Sequence, residues 1–193
     1  MGTVTKTSTN IPGVFILEPR VFSDSRGFFF ESYSHLDMEK LGIPDIFVQD
    51  NHSCSGKGVI RGLHFQSKHP QGKLVRVLRG SIFDAVVDIR KNSPTFGKSI
   101  GVELSAESHR MLWVPVGFAH GFLSLEKHTE VHYKTTDFYY PEYDAGLRWN
   151  DADLNISWPL EQYGIDSVEI SDKDALLPLL KDLNTPFAYG GST

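Results

Sequence analysis

The sequence predicts a mainly β chain, an antiparallel sandwich or barrel with a few short peripheral helices. Between Val14 and Trp158 it breaks into short β-branched and aromatic runs punctuated by Gly, Pro, Asn or Ser. Phe83, Ala85, Val87 and Ile89 alternate with Asp84, Val86, Asp88 and Arg90, which gives a strand with one apolar and one mixed face. Helix signals stand out at only two places, each a capping pattern followed by a stop.

Residues before Ile11 and after Tyr189 are expected to be loose, around a core of about residues 11–180 in one domain spanning 1–193. Ser34 caps a helix running to Leu41, with Asp37 three residues on and Gly42 as the stop. Leu74 to Arg79 and the Phe83 strand form a hairpin turned at Gly80. Met111 to Val114, Phe122 to Leu125 and Val131 to Tyr140 read as further strands. Ser171 and Asp174 open a second helix through Ala175, Leu176 and Leu177, which Pro178 cuts short.

With 40% hydrophobic and 22% charged residues, 193 residues suffice for a real core. The 19 basic and 24 acidic side chains give a net charge of -5 and form no basic run, which argues against nucleic acid as a partner. The single Cys54 can close no internal disulfide, so the cytoplasm is the expected compartment. No segment approaches the ~18 apolar residues of a membrane span, and Met1 to Asn10 lack the apolar core of a signal peptide.

Eight histidines invite a metal reading, but no His-x-His or His-Glu-x-x-His occurs. His128 and His132 would lie about 13 Å apart along a strand, too far for one ion. His128-Thr129-Glu130 lacks the Pro-Cys-x-x-Cys that a zinc deaminase needs, and Gly56-Lys57-Gly58 completes no phosphate loop or dinucleotide fingerprint.

Pro115-Val116-Gly117-Phe118-Ala119-His120 resembles the second box of the cupins, whose His usually joins a metal site. In the partner box His64-Phe65-Gln66 stands where His-x-His is usual, so the two boxes bring at most two imidazoles together. The barrel is kept and the metal lost, unless His120 is simply a structural histidine at a strand end. Other chemistry remains open to such a barrel. An imidazole suits a general base at neutral pH, a phenol a general acid, and a fixed lysine cation an oxyanion partner, which is what proton abstraction beside a carbonyl requires. His64, Tyr133 and Lys73 supply those types, although strand decoration accounts for each equally well.

Five blocks resemble, in order, the signatures of the dTDP-4-dehydrorhamnose 3,5-epimerase family. They are Phe22-Ser23-Asp24-Ser25-Arg26-Gly27-Phe28-Phe29-Phe30-Glu31, Phe47-Val48-Gln49-Asp50-Asn51-His52-Ser53, Arg61-Gly62-Leu63-His64-Phe65-Gln66, Gly117-Phe118-Ala119-His120-Gly121-Phe122 and Leu147-Arg148-Trp149-Asn150-Asp151. The resemblance implies a double-stranded β-helix, a cupin-like jelly-roll barrel, working as a homodimer with neither metal nor other cofactor on dTDP-4-dehydro-6-deoxy-glucose. It implies His64 as base, Asp174 of Ser171-Asp172-Lys173-Asp174 as the carboxylate behind it, Tyr133 as acid and Lys73 as the enolate's partner. For Asp174 the local pattern alone favours a helix cap. By the same resemblance Arg26 and Arg61 hold the diphosphate. Glu31, Gln49 and Asn51 make thymidine-side and sugar-side contacts, His120 faces the sugar, Tyr139 and Phe28 flank the base, and Asp144 and Lys173 complete the substrate contacts. Asp144 stands where Glu is frequent, as does Val116. Arg26 is expected on an N-terminal strand exchanged with the second subunit. Two alternatives stay open: inversion of C3 or C5 alone, and a sugar-nucleotide-binding cupin without turnover.

Overall fold

The computed structural model describes residues 4–190. Along the chain they form β1 (Val4–Ser8), β2 (Phe15–Pro19), β3 (Phe22–Asp24), β4 (Gly27–Phe29), α1 (His35–Lys40), β5 (Gln49–Ser55), β6 (Ile60–Gln66), β7 (Lys73–Arg79), β8 (Ser81–Asp88), β9 (Ser99–Ser105), β10 (Met111–Val114), β11 (Phe118–Ser124), β12 (Thr129–Thr135), β13 (Asp144–Gly146) and α2 (Asp172–Ala175). A six-stranded sheet runs β1-β2-β10-β7-β12-β5 and a five-stranded sheet β13-β6-β11-β8-β9, while β3 and β4 make a separate hairpin. From β5 to β13 successive strands change sheet at every step but one, the β8–β9 hairpin. That winding is the cupin-like jelly roll the sequence predicts.

The core between the sheets holds Val75, Val77, Leu112, Val114 and Val131 from one side and Ile82, Val86, Leu104, Phe118 and Phe122 from the other. The alternation on β8 is real, but neither face meets water. Ala85, Val87 and Ile89 turn outward and are covered by Leu147, Leu154, Leu180, Leu183 and Phe187 of the C-terminal segment. The mixed face is the barrel interior, so Asp84 is buried inside the protein.

α1 shows how local signals and packing combine. The Ser34 side chain accepts from the Asp37 amide, and at the other end Gly42 at φ +78 lets its own amide reach Glu39 O while the Ile43 amide reaches Met38 O. That is a Schellman stop, which needs a left-handed residue. Met38 alone is buried from this helix, against Leu17, Leu74, Met111 and Trp113. Truncating it to Ala costs about 2–5 kcal/mol.

Three sequence expectations are corrected. β7 and β8 form no hairpin: Gly80, at φ +73, turns the chain from one sheet into the other, where β7 pairs with β10 and β12 and β8 with β11 and β9. The N-terminus is not loose from Val4 onward, because β1 pairs antiparallel with β2 along its whole length. β1 is an edge strand whose side chains are almost all exposed, so it carries no apolar alternation to read. The strand expected to reach Tyr140 ends at Thr135. Thr135 Oγ1 donates to the Asp137 carbonyl and the Phe138 amide donates to the Asp137 carboxylate, which turns the chain away from the sheet. Looseness after Tyr189 falls almost entirely on residues outside those described.

Candidate active site

A cavity of about 660 Å³ lies between the two sheets, and eleven of the fourteen residues singled out in the sequence line it. Strand register explains how. In the six-stranded sheet Tyr133 sits opposite both Asn51 of β5 and Val75 of β7, and one inward row away Thr135 sits opposite Gln49 and Lys73. Directly opposed residues share a face, so Val75 in the core puts Tyr133 and Asn51 inside with it. In the facing sheet His64 of β6 and His120 of β11 are direct partners. The imidazoles and the phenol therefore reach the cavity from opposite walls.

Arg61 and His64 are three apart and would point to opposite faces of a regular strand. Both line the cavity, because β6 is bulged: His120 pairs with His64 but Phe122 pairs with Arg61, three residues against two. The bulge needs Gly62. Its φ is +120, and a Cβ there would lie 2.6 Å from Gly121 Cα and 2.8 Å from the His120 carbonyl oxygen.

The bulge also frees an amide. Gly62 N–H donates to Asp174 Oδ2 at 3.2 Å, while His64 Nε2 meets Asp174 Oδ1 at 2.7 Å. Asp174 still serves α2, since its amide donates to Ser171 Oγ at 3.1 Å. Cap and histidine partner are one residue: the backbone does the first and the carboxylate the second. Burial works against the Asp174 charge, yet the hydrogen bond and charge of His64, the Gly62 amide and Ser171 hold the carboxyl below its usual range. An ionised carboxylate only accepts, so the Nε2 proton belongs to the bond and Nδ1 keeps the basic lone pair.

Lys73 is buried, and its Nζ donates to the His64 carbonyl at 3.3 Å. Burial pushes its amine down to about 8, against the pull of Asp144 and Asp84. Burial likewise raises Tyr133, with Asp144 and Tyr139 adding to the rise and Arg61 opposing it, so the phenol holds its proton. His120 Nε2 lies 2.6 Å from Asp84 Oδ1.

At the mouth Tyr139 Oη donates to Asp144 Oδ2 at 3.0 Å, and Lys173 pairs with the same carboxylate. The Tyr139 amide donates to Gln49 Oε1 at 3.1 Å and Gln49 Nε2 to Asn51 Oδ1 at 2.9 Å. Arg61 Nε donates to Ser55 Oγ at 3.0 Å. Among the described residues no group of three or more His, Cys, Asp or Glu side chains is placed to hold a metal ion. No helix among them is long and apolar enough to cross a membrane.

Arg26, Phe28 and Glu31 do not line the cavity. Arg26 and Phe28 belong to the β3–β4 hairpin, where Arg26 pairs with Asp24 and Phe28 and Phe29 are largely exposed. Sequence reasoning also missed lining residues. Gln66 and Gln71 enter because their amides tie down the carbonyls of Phe138 and Asp137, which sets the Tyr139 loop. Gln71 stands beside Gly72-Lys73, a position that draws the eye only once Lys73 is placed.

A cupin-like barrel with a carboxylate-backed histidine facing a protonated tyrosine across a buried lysine defines an enzyme of the isomerase type. The chain belongs to the dTDP-4-dehydrorhamnose 3,5-epimerase family, whose profile matches residues 8–182. It is 55% identical over 174 residues to the Salmonella typhimurium dTDP-4-dehydrorhamnose 3,5-epimerase, covering 89% of this chain and 93% of that one. The crystal structure of a Legionella pneumophila dTDP-6-deoxy-D-glucose-3,5-epimerase in complex with dTDP-4-keto-L-rhamnose superimposes with a TM-score of 0.89 at 48% identity, covering 94% and 95% of the two chains. A 3'-monoepimerase from Streptomyces bikiniensis in complex with dTDP-quinovose is more distant, at 31% identity and a TM-score of 0.81 over 90% and 86%.

Proposed function

We propose that this enzyme inverts C3 and C5 of dTDP-4-dehydro-6-deoxy-D-glucose to give dTDP-4-dehydro-L-rhamnose, in dTDP-rhamnose biosynthesis. The observation that carries the reading is the opposition of His64 on one wall and Tyr133 on the other, with Lys73 between the sheets. His64 Nδ1 removes the proton beside the C4 ketone, and the C–H electron pair moves onto the ketone oxygen. Lys73 Nζ neutralises that enolate, assisted by His120. Tyr133 then delivers its proton to the opposite face, which inverts the carbon and restores the C4 ketone; the phenolate recovers a proton from solvent and the His64 imidazolium releases one to it. Asp174 holds the resulting imidazolium in place.

Arg61 takes the diphosphate, Gln49 and Asn51 the nucleoside side, and Tyr139, Asp144 and Lys173 close over the substrate. Arg26, Phe28 and Glu31 act from an exchanged arm in a homodimer of the cytoplasm. The exposure of Phe28 and Phe29 on a hairpin outside both sheets supports an arm made to pack elsewhere. The higher identity to 3,5-epimerases than to the monoepimerase supports two inverted centres. Incubation with the sugar nucleotide in deuterated water, followed by NMR, tests the assignment: deuterium at both C3 and C5 with L-configured product is expected. Label at one carbon alone restricts the enzyme to that centre, and none at either defeats the proposal.

A further inference from the structure

Asp84 lies on the inner face of β8 between Ile82 and Val86, wholly buried. Its partners across the sheet are Phe122 of β11 and Val102 of β9, neither of which offers its side chain a donor. Oδ1 approaches His120 Nε2 at 2.6 Å, but out of line for a hydrogen bond, so both carboxylate oxygens and that ring nitrogen are buried without an aligned partner. An apolar side chain would suit this place better, and a carboxylate survives so far from water only beside positive charge.

We propose that Asp84 is a positioning residue of the acid–base pocket, a buried counter-ion behind Lys73 and His120 that keeps the lysine charged and sets the plane of the imidazole. The catalytic use of that charge rests on the epimerase reading. Other charged or titratable groups around the cavity are Arg61 and His64 of β6, Tyr133 of β12, Asp144 of β13, Lys173 and Asp174 of α2, and Tyr139 and Glu169 from loops. Asp144 already binds Tyr139 and Lys173, and Asp174 binds His64 and Gly62. Asp84 has no aligned hydrogen-bond partner, and with Asp144 it is one of the two carboxylates that oppose the loss of the Lys73 proton.

Asp84→Asn keeps the shape and removes the charge. In the substrate-free protein the Lys73 amine, followed by ¹⁵N NMR, is expected to titrate about one pH unit lower than in the unsubstituted enzyme. With the dTDP-sugar, the alkaline limb of kcat is expected to move down by about one pH unit, so that kcat falls about twofold at about pH 7 and close to about tenfold at about pH 9, with KM little changed. Asp84→Glu, which keeps the charge, should return the limb toward its original position. A folded D84N with an unmoved Lys73 titration overturns the inference, as does a loss confined to melting temperature. Should D84N not fold, Asp84→Ser decides on the same titration. Absence of turnover in the unsubstituted enzyme would defeat the epimerase reading alone, because the titration is read without substrate.

Discussion

Asp174 grips the strand that carries His64 twice, once through the imidazole Nε2 at 2.7 Å and once through the Gly62 amide at 3.2 Å. The second contact fixes the carboxylate against the backbone, so the first fixes the ring. An imidazole held this way has one free nitrogen with one direction to act in.

Loss of each partner should therefore differ in kind. His64→Asn is expected to abolish solvent deuterium exchange at C3 and C5, a fall of roughly 10²–10⁴-fold. Asp174→Asn should slow exchange by a smaller factor, since Nδ1 remains but the charge behind it is gone. Normal exchange in H64N would assign the base elsewhere.

Tyr133→Phe removes a proton donor with little change of shape. Exchange at one or more carbons should persist, because His64 can return a proton to its own side, while inverted product collapses. NMR of recovered substrate and product reads both at once. Equal loss of exchange and inversion would place Tyr133 in sugar binding or enolate formation instead.

The alkaline limb of kcat should reflect Lys73. Its amine is charged below about 8 and neutral above, so turnover falls as pH rises through that value. Tyr133, pushed above its ordinary range by burial, keeps its proton across the same window. A limb that lies beyond pH 10 would show that the lysine charge is not required.

Gly62→Ala should be costly beyond its single methyl. The left-handed backbone and the 2.6 Å approach to Gly121 Cα leave no room for a Cβ. About 2–4 kcal/mol of stability should go, and the shared orientation of Arg61 and His64 with it. Chemical denaturation together with activity per folded molecule measures both, and an active G62A of unchanged stability would refute the bulge argument.

An exchanged arm makes a distinctive prediction for mixtures. Arg26→Ala and His64→Asn chains, each poorly active alone, should recover activity when unfolded together and refolded. A mixed dimer then pairs an intact His64 with the partner's intact arm at one of its two sites. Random pairing restores roughly a quarter of the normal rate. No recovery would return Arg26 to its own chain's site.

Local pattern was enough for the parts of this molecule governed by neighbours in sequence. The alternation at Phe83 to Arg90 and the stop at Gly42 depend on periods and dihedrals a few residues long, whereas the hairpin expected at Gly80 failed because which sheet each strand joins is not a local property. β1 escaped because an exposed edge strand has no reason to alternate. The base, acid and lysine could be named by chemistry and family likeness, but their opposition comes from register between strands far apart in sequence. Asp84 escaped as a site residue because a polar position on a strand's second face normally meets solvent, and here a second sheet covers it.

The 110 positions that separate Asp174 from His64 along the chain also set an order in time. A ribosome finishes both walls of the barrel well before it reaches α2, so the nascent chain carries His64 with no carboxylate behind it. Catalytic competence has to wait for α2, which is made after the barrel strands and brings the carboxylate to a histidine already in place.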